Sequence, residues 1–117
     1  MDPVQSFTNL VLAAMVDGHL ADEEMVLLEK HAENLRLTEE QAQTVVNKVF
    51  EGELKEFTKP QSPEARKAAF RAVVRILRAD KKITGAEQKM IKLVGAKMEI
   101  APEQIAKALG PKWDGGA

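Results

Sequence analysis

Three observations predict an all-α fold for this chain. Apolar residues recur at helical spacing from end to end, no stretch alternates apolar and polar residues as a half-buried strand would, and the second half repeats the pattern of the first after a shift of 63 residues. Together they predict a compact bundle of about six to seven helices built from two pseudo-symmetric three-helix repeats.

Each element is read from its punctuation. Helix one opens at Asp2, a capping residue, with Pro3 in the first helical position; it should bury Val4, Phe7, Val11 and Ala14 and stop near Gly18. Helix two, from about Asp22 to Asn34, presents Met25, Leu28, Ala32 and Leu35. Helix three begins at Thr38, where Gln41 completes a capping box, and presents Ala42, Val45, Val49 and Phe50. The stretch GELKEFTKPQS, residues 52–62, is the long connection, and Leu54 and Phe57 predict a short helical turn pinned to the core. Ser62 and Pro63 restart the helix grammar, with Ala65, Ala69, Ala72, Val73, Ile76 and Leu77 on the inner face of helix four. A second capping box, Thr84 with Glu87, opens helix five, which presents Met90, Ile91, Val94 and Met98. Pro102 starts a short sixth helix carrying Ile105 and Leu109. Residues 1–110 thus read as a single helical domain and 111–117, within GPKWDGGA, as a flexible tail.

Composition narrows the function classes. A chain of 117 residues can bury roughly two thirds of the surface it exposes when unfolded, so no staple is needed. With 44% hydrophobic and 30% charged residues it reads as an ordinary globular protein. It has no cysteine, which removes disulfides, thiolate metal sites and a cysteine nucleophile and suits a reducing cytoplasm. No apolar run reaches the 18 or so residues of a membrane helix and no signal-peptide grammar is present, so the expected place is the cytoplasm, without membrane insertion. The net charge of −1 hides two opposed regions. From Asp17 to Glu56 eleven acids face Lys30, Arg36, Lys48 and Lys55, a balance of −7, whereas from Glu64 to Lys82 seven bases face Glu64 and Asp80, a balance of +5.

The shift of 63 brings Asp17 onto Asp80, Leu20 onto Ile83, Glu24 onto Glu87, Leu28 onto Ile91, Leu37 onto Ile100 and Gln41 onto Gln104. Three-helix units of this size cannot bury their apolar faces alone, so the halves should pack together, most simply about a pseudo-twofold axis. The run Val16-Asp17-Gly18-His19-Leu20-Ala21-Asp22-Glu23-Glu24, echoed by Ala79-Asp80-Lys81-Lys82-Ile83-Thr84-Gly85-Ala86-Glu87, resembles the pattern of TerB-like domains, the small helical proteins of tellurite-resistance systems. The resemblance covers roughly residues 5–109. It implies a TerB-like all-α domain of two related halves in a bacterial stress-response system, without catalytic activity and with acidic residues proposed to bind a divalent metal. The second run departs from the pattern in lacking the glycine after its aspartate and in carrying Lys81 and Lys82.

Asp17 and Asp80 each stand where a helix is about to end, against the partial negative charge of that terminus. Two accounts compensate them. Each carboxylate can accept from free amides at the start of the next helix, an attractive role for Asp17 because Ala21, the counterpart of Thr84, is a poor cap. Alternatively a divalent cation is held by Asp17, Asp22 and Glu24, with Asp80 and Glu87 from the second half and His19 nearby. Asp17, Gly18, Leu20 and Glu24 match positions five, six, eight and twelve of an EF-hand loop, but positions one and three would be Ala13 and Met15, which supply no side-chain oxygen. His31 lies about 10 Å along the helix from Glu24 and reads as a core-edge residue.

Lys67, Arg71, Arg75 and Arg78 form one basic stripe on helix four, extended by Lys81 and Lys82. With 4% aromatic residues and no tyrosine there is no stacking platform beside it, so nucleic acid is not the expected ligand. The stripe points instead to a protein partner or to the acidic half, within one molecule or across a homodimer. Trp113 either docks on its own domain or anchors a partner. Ser6 and Ser62 have no histidine placed to activate them and no phosphate loop or zinc-protease pattern occurs, so the chain reads as a non-enzyme.

Overall fold

A computed structural model describes residues 2–16, 18, 20–78 and 84–109. Six helices are formed: α1 (Pro3–Ala14), α2 (Asp22–Asn34), α3 (Glu39–Phe50), α4 (Pro63–Leu77), α5 (Gly85–Lys97) and α6 (Pro102–Leu109), with no strand among the described residues.

The helix starts follow the chemistry of their caps. Asp2 accepts the Val4 amide at 2.7 Å ahead of Pro3, and Ser62 Oγ accepts the Ala65 amide at 3.1 Å ahead of Pro63. Thr38 and Gln41 exchange bonds of 3.0 and 2.9 Å, as do Thr84 and Glu87. The ends of α2 and α5 are also alike. Arg36 and Glu99 sit in the left-handed region at φ of 61° and 60°. In each case the following amide, Leu37 or Ile100, donates back into the last turn, to the carbonyl of Ala32 or Gly95, at 2.9 Å. Shifted by 63, the bounds of α2 fall on those of α5, the start of α3 on the start of α6, and the end of α1 on the end of α4.

Packing centres on α1 and α4, which lie against each other and each contact α2. The core between them holds Phe7, Leu10, Val11, Val73, Ile76 and Leu77, joined by Leu28 of α2 and by Ile91, Val94 and Met98 from the α5 side. A radius of gyration of 13.5 Å is what a single globule of this length should have, about 13 Å. The third helix of each half takes a different seat: α3 packs chiefly on α1, whereas α6 packs on α5. Gly95 permits the second arrangement, because a Cβ there would stand 2.6 Å from Ile105 Cδ1 and 3.3 Å from Phe70 Cε1.

Several sequence expectations are corrected. α1 ends at Ala14, not near Gly18, as Met15 closes the helix and Val16 and Gly18 donate into tight turns. Val4, Met25 and Phe50 are exposed instead of core. Val4 lies in the first turn of α1, Glu24 takes the inward place beside Met25, and Phe50 stands about 100° round the helix from Val49, which faces in. Residues 54–60 form no helical turn. Leu54 and Phe57 do pack against the core, and the segment is fixed by Asn9, which donates through Nδ2 to the Thr58 carbonyl at 2.8 Å and accepts the Thr58 amide at 2.9 Å. The expected tail, 111–117, lies outside the described residues.

Candidate functional site

The acidic turns come first in the chain. Asp22 occupies the first position of α2 and is exposed, in the favourable field of a helix N-terminus with Glu23. Glu24 is only 4% exposed, and its Oε1 accepts the Ala21 amide at 2.9 Å. Glu87 is 3% exposed, and its Oε1 accepts the Thr84 amide at 2.9 Å. Two of the five nominated metal ligands therefore serve as helix caps at equivalent places, one in a full box and one in half a box, since Ala21 has no side-chain oxygen to return the bond. Asp17, His19 and Asp80 lie outside the described residues, as do Lys81 and Lys82. Among the described residues no three His, Asp or Glu side chains gather to hold an ion.

Of the basic stripe, Lys67, Arg71 and Arg75 on α4 and Arg78 at its C-cap are all exposed. They border a groove of about 1000 Å³ between α4 and α6, crossed at one side by His31 of α2. Lys107 of α6 adds a fifth cation, Phe70, Val74, Ile100 and Ala108 supply apolar surface, and among the described residues no acid lines the groove. The groove exists because α6 sits on α5; the corresponding position on α1 is filled by α3.

The two ion pairs among the described residues both use Glu99, with Lys59 at 2.8 Å and Arg66 at 3.6 Å. Among those residues Lys67, Arg71 and Arg75 therefore form no ion pair with an acid of their own molecule. Burial pulls the His31 imidazole below its ordinary pKa, and the Arg75 guanidinium lowers it further, so His31 is neutral at pH 7 and adds polarity without charge to the groove wall. The same ring borders a smaller pocket of about 280 Å³ against α1 and the alanines of α4. It is the core-edge residue its position suggests.

The sequence announced the stripe but not the groove. Lys107 and the Phe70 floor become neighbours of Arg71 and Arg75 only through the seat of α6, and the one local signal was the lack of a side chain at Gly95. Trp113 lies outside the described residues. No helix among the described residues is long and apolar enough to cross a membrane. Comparison with known protein families, with characterised proteins and with solved structures finds no match for this chain.

Proposed function

We propose that this chain is a TerB-like, non-catalytic domain of a bacterial stress-response system, working in the cytoplasm as an adaptor that holds an acidic segment of a protein partner in the α4–α6 groove. The observation that carries the reading is a groove with five cationic side chains, an apolar floor and, among the described residues, no acid. Cations of one sign around an apolar trough favour a helix or loop with acids flanking apolar residues, and steer it during encounter. The TerB-like repeat is supported by the quoted motifs and by the recurrence, at an interval of 63, of helix bounds, buried cap glutamates and left-handed helix ends.

The test is a fluorescence-anisotropy titration with a labelled acidic amphipathic helical peptide. Saturable binding that weakens by about tenfold in Arg71→Gln/Arg75→Gln, roughly 1.4 kcal/mol, is expected. No binding, or equal binding to both proteins, overturns the reading.

A second reading places a divalent cation at the acidic turns. Its support is the pair of buried carboxylates, Glu24 and Glu87, at matching places beside Asp17 and Asp80 in the sequence. A thermal melt of the metal-stripped chain with calcium, magnesium, manganese or zinc separates the two. A saturable rise in Tm that Asp17→Asn abolishes establishes the cation, because a ligand bound only by the folded state must stabilise it.

A further inference from the structure

We propose that the acidic segment received by the groove is the outer face of α2 from a second copy of this chain, giving a head-to-tail association. This rests on the groove reading above and names its partner. On α4 the basic stripe runs Lys67, Arg71, Arg75, Arg78, eleven residues or about 16 Å from end to end. On α2 the residues Asp22, Val26, Glu29 and Glu33 fall at spacings of four, three and four, again eleven residues and about 16 Å. All eight are exposed. Val26, 53% exposed, and Met25 beside it, 43% exposed, give the acidic stripe an apolar centre that matches the floor formed by Phe70 and Val74. Lys30 stands at the edge of the acidic stripe, on the side of Glu23.

Within one molecule the two stripes do not meet each other. α2 turns Leu28 and Ala32 into its own core and His31 towards its own groove, and His31 is about 160° round the helix from both Glu29 and Glu33. The acidic stripe therefore faces away from the groove beside which its helix lies, and no ion pair joins the two among the described residues. Opposite charge, equal length and matching apolar centres are brought together only between copies. Because the two surfaces face apart on each molecule, a single twofold contact does not pair both at once and the contact is heterologous: each added copy offers a fresh groove or a fresh α2, so growth continues unless a ring closes. A closed twofold homodimer is not what this geometry favours.

The test is sedimentation velocity of the full chain across a concentration series at low and high salt. The expected result is a weight-average mass that climbs from the 12.9 kDa monomer with concentration at low salt and loses that dependence at high salt. Glu29→Gln/Glu33→Gln and Arg71→Gln/Arg75→Gln should each remain monomeric alone. Mixed, they should form a 1:1 complex and nothing larger, since one retains its groove and the other its α2 face. A wild-type chain that stays monomeric at low salt, or a mixture that forms no complex, overturns the proposal. If the acidic peptide still binds in that case, the groove reading stands and only the second copy is excluded; if neither associates, both fall.

Discussion

The two halves of the molecule share a plan and differ in how each closes it. In the first half α2 is capped by an alanine, is followed by left-handed Arg36 and leaves α3 to pack on α1; in the second, α5 starts on a full Thr84–Glu87 box, is followed by left-handed Glu99 and draws α6 onto itself at Gly95. The first arrangement covers its central helix and the second leaves one side of α4 open. Helices whose bounds recur at an interval of 63 but whose third members are seated differently yield both a closed core and an open groove, and the difference rests on a few side chains that can be exchanged.

The exchange at Gly95 should have the largest effect. Gly95→Ala gains helix propensity worth about 1 kcal/mol but drives a methyl into Ile105, where overpacking costs about 1–3 kcal/mol, so denaturant unfolding should show a net loss of up to about 2 kcal/mol. A stabilised variant would mean that Ile105 moves aside freely and that the seat of α6 depends on something else. Next come the caps. Thr84→Ala should cost about 1 kcal/mol, and Ala21→Thr, which completes the half box with Glu24, should gain a similar amount in a thermal melt. Equal responses of opposite sign would establish that the two turns are equivalent.

The helix ends sharpen the comparison further. Arg36→Gly relieves a left-handed residue and should raise stability by about 0.5–1 kcal/mol. Glu99→Gly should gain less, because the Glu99 carboxylate, held below its usual pKa by Lys59 through a hydrogen bond and charge and then by Arg66, is lost with it. The smallest effect is in pH dependence. His31 has a folded pKa below its unfolded value of about 6.5. The folded state therefore takes up a proton less readily, and the contribution is fully present above pH 6.5 and is lost as pH falls below it. His31→Val, which installs the residue found at the matching position Val94, should flatten the fall in Tm between about pH 6.5 and 5.

Much of this was legible in the chain, because caps are local. Asp2 before Pro3, Thr38 with Gln41, Ser62 before Pro63 and Thr84 with Glu87 place four helix starts from a few adjacent residues each. The stripe on α4 was equally plain, being a matter of spacing on one helix. What escaped depends on distant neighbours. Val49 and Phe50 are both apolar, and only the seat of α3 on α1 decides which one faces in. The left-handed ends at Arg36 and Glu99 carry no glycine to announce them. Glu24 was readable as a ligand or as a cap, and the Ala21 amide at 2.9 Å gives one of its oxygens the second role.

The pairing of Asn9 with Thr58 has a consequence for how the molecule opens. Its carboxamide, on a side chain 2% exposed, meets both polar groups of one residue in the connection between the halves, as a neighbouring strand would. The Thr58 amide can exchange its hydrogen with solvent only when α1 and the connection part, whereas the amides of exposed Glu56 and Lys59 have no such tie among the described residues. In deuterated buffer one slow amide within a fast segment would thus time the release of the connection from α1, and its protection, set against that of the α1 and α4 cores, would tell whether the connection opens alone or with the core.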